Sequence, residues 1–121
     1  MFGGSIVIIK MTFEEIVRLV NILRGAMVAY VIAEIEVNNP EEYEGYRAGV
    51  PETVERYGGK YLVRGGAIET VEGNWAPPRV VVIQFDDMER AKEWYYSEHY
   101  KDLKAIRHKA ATSKMVFVDG L

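Results

Sequence analysis

The sequence predicts an α+β fold, a ferredoxin-like β-α-β-β-α-β antiparallel sheet with its helices on one face. Three observations carry this. From Met27 onward, runs of period-two alternation and runs of helical spacing follow one another in that order. Proline, glycine and cap residues separate the runs. The strands also stay apolar on the face that the helices would leave bare, where a wet face should alternate polar with apolar. A second copy, packed sheet to sheet, is the simplest cover, which makes the expected assembly a homodimer. About 800 Å² buried per subunit would be ordinary for such a contact.

At 121 residues the chain is long enough to bury a core as one domain. A net charge of −3, with acids and bases interleaved, gives no basic face for nucleic acid. The absence of cysteine excludes disulfides, thiolate metal sites and cysteine nucleophiles. No apolar run approaches the ~18 residues of a membrane span, so no membrane partner is expected. Ser5-Ile6-Val7-Ile8-Ile9 is apolar but too short and strand-like for a signal segment, and the expected location is cytoplasmic.

Residues 1–26 read as an N-terminal extension of a domain spanning 27–121. Within the extension, 12–24 has the pattern of an amphipathic helix. Thr12 and Glu15 form a capping box, Phe13, Ile16, Val17, Leu19, Val20, Ile22 and Leu23 make a broad apolar surface, and Gly25 supplies the stop. The extension reads as an accessory helix, as an over-long start upstream of Met27, or as a segment foreign to the natural chain. An accessory helix could cover the bare sheet face within one chain.

The first strand is Val28 to Val37, with Ala29, Val31, Ala33, Ile35 and Val37 on one face and Tyr30, Ile32, Glu34 and Glu36 on the other. Asn39 caps the following helix and Pro40 takes its first position. Tyr43, Tyr46, Val50, Val54 and Tyr57 continue it, Pro51 should kink or divide it, and Gly58-Gly59 stops it. Lys60 to Glu72 reads as a strand broken by a bulge or close backbone approach at Gly65-Gly66. Arg79 to Phe85 is the third strand. Asp86 or Asp87 caps a helix through Ala91 and Trp94, Ser97 starts a second piece through Tyr100, Leu103, Ile106 and Arg107, and Ser113 to Asp119 closes the sheet.

Arg64-Gly65-Gly66 is the first candidate ligand-binding element. The planar fork of Arg64 suits a carboxylate or phosphate, and glycines let ligand or backbone come close. The plainer reading is a surface arginine beside a bulge, paired to Glu69 or Glu72. Trp94, Tyr95, Tyr96 and Tyr100 supply apolar walls with polar tips, though core packing accounts for most of them. Tyr100, Leu103 and Arg107 share a helix face, and Tyr46 faces the same cleft from the first half. The candidate catalytic residues are therefore Tyr46, Tyr100 and His99. The candidate ligand-binding residues are Arg64, Gly65, Gly66, Trp94, Ser97 and Arg107, with Ser97 also fitting a helix cap. His99 has the reference pKa of a general base but also the setting of a solvated surface histidine. His99 and His108 lie on opposite sides of a helix, so no shared metal is expected, and no cofactor either. Glu34 and Glu36 share a strand face and fit a general acid/base pair with a third carboxylate, or more simply rim charges of a dimer interface or partners of Arg79 or Lys114.

These residues resemble the family described as domain of unknown function 1330, within the dimeric α+β barrel superfamily. The resemblance rests on Tyr30-Val31-Ile32-Ala33, Pro40-Glu41-x-Tyr43-x-x-Tyr46, Tyr57-Gly58-Gly59 and Leu62-Val63-Arg64-Gly65-Gly66. It continues through Glu72-Gly73, Val81-Val82-Ile83-Gln84-Phe85, Trp94-Tyr95-x-Ser97-x-x-Tyr100, Ile106-Arg107 and Val118-Asp119-Gly120. It implies a homodimer whose sheets face one another and a cleft between helices and sheet. Superfamily relatives include cofactor-free monooxygenases, muconolactone-type isomerases and haem enzymes, whose axial ligand only His99 resembles. The family often has Ser-Pro-Glu-Tyr where this chain has Ser97-Glu98-His99-Tyr100. The implied function is a metal-free small-molecule enzyme, monooxygenase- or isomerase-like, acting on an anionic or aromatic metabolite. The alternative is a non-catalytic dimeric module that binds a ligand or protein.

Overall fold

The computed structural model describes residues 10–23 and 27–121; the apolar run at 5–9 and the helix stop and junction expected at Gly25-Ala26 lie outside them. The described elements run α1 (Phe13–Leu23), β1 (Ala29–Val37), α2 (Pro40–Arg56), β2 (Lys60–Arg64), β3 (Val80–Phe85), α3 (Met88–Tyr95), α4 (Glu98–Ala110) and β4 (Ala111–Asp119). One antiparallel sheet has the order β2-β3-β1-β4. This is the ferredoxin-like arrangement: both β-α-β units cross over on one side, α3 and α4 together forming the second crossover.

Local chemistry explains the helix starts. Thr12 and Glu15 exchange backbone-to-side-chain hydrogen bonds of 3.0 and 3.1 Å at α1. The Asn39 side chain accepts from the Glu42 amide, that of Asp87 from the Arg90 amide and that of Ser97 from the Tyr100 amide. The amides of Asn38 and Asn39 both donate to the Ala110 carbonyl, at 2.8 and 3.0 Å. The start of α2 is thereby tied to the end of α4, which leads directly into β4, two residues earlier than the sequence suggests.

The core lies between α2, α3, α4 and one sheet face. Val31, Ala33, Ile35, Ile83 and Phe85 supply the sheet side; Tyr46, Val50, Val54, Trp94 and Tyr100 supply the helix side. Trp94 and Tyr100 are wholly buried and stack at 4.2 Å between ring centroids. The opposite face carries Ile32 between Val82 and Val116, and Tyr30 between Gln84 and Val118. Val116 is 58% exposed and Val118 42%, so this face is apolar and open. On it Glu34 meets Lys114 at 3.9 Å and accepts from the Trp75 indole, so it sits in a surface contact away from the core. Every α1 residue whose side chain is described is exposed, Phe13 at 80%, so this helix does not bury its stripe on the open face. Among the described residues no helix is long and apolar enough to cross a membrane.

Two expectations need correction, and both corrections bear on the site. Pro51 neither divides nor ends α2, which runs unbroken from Pro40 to Arg56. A proline lacks the N–H that would bond the carbonyl four residues earlier, here Arg47. The Arg64 guanidinium donates to that carbonyl at 2.6 Å and replaces the missing partner. Nor does the second strand run to Glu72 with a bulge at Gly65-Gly66. It ends at Arg64, and the extra residue lies earlier, at Leu62: Tyr61 pairs with Ile83 but Val63 pairs with Val82. A bulge resets alternation. Without it Arg64 would share the open face with Lys60; with it Arg64 sits opposite Val81 on the core face, alongside Tyr61.

Candidate functional site

The reset strand brings Arg64 to the mouth of a cleft between α2 and the sheet. The cleft is floored by Val31, Ala33 and Val81, and walled by Tyr43, Tyr46 and Arg47 from α2 and by Tyr61, Arg64 and Arg79 from the hairpin. Its empty volume is about 390 Å³ counting the open mouth. The space a water-sized sphere can occupy in it is about 20 Å³, enough for one water molecule. The Arg64 guanidinium lies 4.9 Å from the centroid of the Tyr61 ring. Burial pushes the Tyr61 phenol up to about 12, so it stays protonated at neutral pH.

Arg79 is the residue that sequence reasoning missed. It precedes β3 on the core-facing side, and its Nε is buried with no hydrogen-bond partner. Among the described residues no carboxylate pairs with Arg79 or Arg64. Gly65 makes room for it: a Cβ there would run into the Arg79 guanidinium, and the φ of +70° is itself strained for any other residue. Gly66 faces open space and is not constrained in this way. The signal that could have found Arg79 is its place across the hairpin from Gly65, visible only once the register is known.

The aromatic candidates divide. Tyr46 lines the cleft, and its hydroxyl is 2.8 Å from that of Tyr100, buried behind it. Arg107 Nε donates to the Tyr100 oxygen at 3.3 Å. Burial, then the neighbouring Tyr100, raises the Tyr46 pKa above that of a free phenol. Burial likewise raises Tyr100, against the opposing pull of Arg107. Both hold their protons at neutral pH, so neither serves as a resting base.

Trp94 borders the cleft through its ring alone. Its indole N–H donates to Thr53 Oγ1 at 3.0 Å, and that hydroxyl donates onward to the Val50 carbonyl at 2.8 Å. The Ser97 hydroxyl is equally committed, donating to the Trp94 carbonyl and accepting from the Tyr100 amide. His99 is exposed on α4 and held by the Tyr57 hydroxyl at 2.9 Å and Arg56 at 3.2 Å, away from the cleft. Arg107 is buried, yet it borders a second opening beside Tyr95, His108 and Ser113 rather than the cleft of Arg64. The single cleft expected from Arg64, Trp94, Tyr100 and Arg107 is thus two openings joined by a buried hydrogen-bond chain, Tyr46 to Tyr100 to Arg107. Among the described residues no group of three His, Asp or Glu side chains is arranged to hold a metal ion.

The model for the domain of unknown function DUF1330 matches residues 28–121. The chain belongs to the DUF1330 family. The match excludes α1 and includes every residue of both openings. No curated protein matches this DUF1330 chain in sequence. Among solved structures it is similar to a protein of unknown function from Rhodopseudomonas palustris, at 16% identity and a TM-score of 0.66, covering 93% of this chain and 95% of that one. It is also similar to SnoaB, a cofactor-independent oxygenase from Streptomyces nogalater, at 13% identity and a TM-score of 0.53, covering 79% and 95%. A hypothetical Arabidopsis thaliana protein aligns at 13% identity and a TM-score of 0.55, covering 79% and 89%. At these identities the likeness is one of fold alone.

Proposed function

We propose that this DUF1330 protein binds a small anionic or aromatic metabolite, a carboxylate above all, in the cleft between α2 and the sheet. The observation that carries the reading is Arg79, whose buried Nε has no partner among the described residues, beside Arg64, with none of the described carboxylates on either. A buried donor without a partner costs roughly 1–3 kcal/mol, more when charged, and a carboxylate ligand removes that cost. Tyr61 and Tyr46, both protonated, flank the arginines as neutral donors. Arg107 can only donate, so the Tyr100 oxygen accepts from it. Tyr100 then donates its O–H to the Tyr46 oxygen, which leaves the Tyr46 O–H available to a ligand.

The finer reading is a metal-free enzyme of monooxygenase or isomerase type. Arg64 and Arg79 hold negative charge as it develops on the substrate, and Tyr46 supplies a proton. SnoaB, of the same fold, is a cofactor-independent oxygenase, in keeping with chemistry of this kind. One observation favours a non-catalytic binding module instead: among the described residues no histidine or carboxylate lines the cleft to act as a base. Turnover of a bound acid by the wild type, lost in Tyr46→Phe while binding persists, supports the enzyme. Binding without turnover supports the module.

The assembly is a homodimer through the open sheet face. The row of Ile32, Val82, Val116 and Val118 is too apolar to remain in water. Light scattering after size exclusion gives twice the chain mass on this reading, and a clean monomer overturns it. The binding test is a thermal-shift screen of aromatic and dicarboxylic acids. An acid should raise the melting temperature of the wild type and leave Arg64→Ala and Arg79→Ala unmoved. A shift that survives both substitutions removes the arginines from the site.

A further inference from the structure

The second opening is a groove of about 800 Å³, counting its open mouth, between the end of α4 and the start of β4, bordered by Tyr95, Arg107, His108, Thr112 and Ser113. Its distinguishing group is Arg107, only 2% exposed. Three of its five N–H groups reach protein atoms, and all the partners are neutral: Tyr100 at 3.3 Å, Ser113, and His108 Nε2 at 3.5 Å. No carboxylate of the described residues pairs with it. A buried cation with only neutral partners is among the costlier arrangements in a protein, and a counter-ion relieves it. Both Nη atoms turn toward groove residues, Ser113 and His108. Lys104 adds a second cation close by, over the Tyr95 ring at 4.1 Å. Burial, then the charges of Arg107 and Lys104, keep the His108 imidazole neutral to lower pH than usual.

We infer that this groove is a second oxyanion site, in which the Arg107 fork binds a carboxylate or phosphoryl group beside Ser113 and His108. The site stands independently of the Arg64 and Arg79 cleft. It lies at the far end of the Arg107–Tyr100–Tyr46 chain, so an anion here draws on the same guanidinium that orients Tyr100.

The test titrates ¹⁵N-labelled protein with inorganic phosphate and, separately, with acetate at constant ionic strength. It follows the Arg107 Nε–H and the Ser113 amide. Both resonances should move saturably with at least one anion, and equally in Arg64→Ala. Saturation by phosphate alone assigns a phosphoryl ligand, and saturation by acetate as well assigns a carboxylate. Ser113→Asp, which tethers a carboxylate beside the guanidinium, should weaken binding about tenfold or more. His108→Glu should do the same from the helix side, should the strand substitution fail to fold. Resonances that do not saturate with either anion overturn the site, and so does a response lost in Arg64→Ala or kept in both carboxylate variants.

Discussion

Two groups of arginines in this molecule live in opposite circumstances. Arg47, Arg56 and Arg90 each hold a glutamate about one helical turn away, at 2.9, 2.8 and 2.6 Å, on exposed faces. Among the described residues Arg64, Arg79 and Arg107 hold none, although the chain carries 18 acidic residues. The first group is ordinary surface pairing, where water screens the charge and the pair adds little. The second borders two concave openings, where on the proposed reading the missing neutralisation is supplied by an incoming anion. On the proposed reading, pairing separates the ligand-binding arginines from the others better than sequence position does, since Arg64 and Arg47 line the same cleft.

The contrast breaks most visibly in ligand affinity. Arg79→Ala should weaken binding of an aromatic carboxylate about 100-fold, near 3 kcal/mol, by calorimetry, with little loss of stability because the orphaned Nε goes with it. Next comes the glycine pair. Gly65→Ala should cost about 1–3 kcal/mol in urea unfolding, from its positive φ and the displaced Arg79 guanidinium. Gly66→Ala, facing open space, should be close to neutral.

Alkaline stability follows. The folded-state pKa values of Tyr46, Tyr61 and Tyr100 are raised above that of the unfolded phenol. Above about pH 10 the unfolded state therefore binds fewer protons than the native state, and stability falls as pH rises, by up to roughly 1.4 kcal/mol per pH unit per phenol. Tyr46→Phe should flatten that decline in pH-dependent urea melts. Smallest of all, Arg56→Ala and Arg90→Ala should change stability by less than about 1 kcal/mol and leave ligand affinity unaltered.

Much of this was legible in the chain. Asn39-Pro40, Ser97 and the Thr12–Glu15 pair set helix starts by local hydrogen bonds, so sequence suffices for them. Tyr46 facing Tyr100 follows from helical spacing in each half. What escaped depends on contacts between distant segments. Pro51 looks like a break until Arg64 is seen bonded to the freed Arg47 carbonyl. Arg64 is a cleft candidate from its sequence, but strict alternation from Lys60 would put it on the open face; the Leu62 bulge turns it inward, and no residue type at 62 announces a bulge. Arg79 becomes a candidate only when the hairpin closes it over Gly65, across a long connection whose register no turn motif defines. His99 has the right chemistry, but its ring is taken up by Tyr57 and Arg56, neither of which its helix alone could reveal.

The most direct test of the cleft is the Arg79 Nε–H resonance in ¹⁵N-labelled protein titrated with benzoate and, in parallel, with neutral benzamide. The account predicts that benzoate moves this resonance downfield and slows its exchange with solvent, while benzamide leaves it in place. A resonance that ignores benzoate, or answers both compounds alike, would contradict the assignment of Arg79 as the anchor of an anion site.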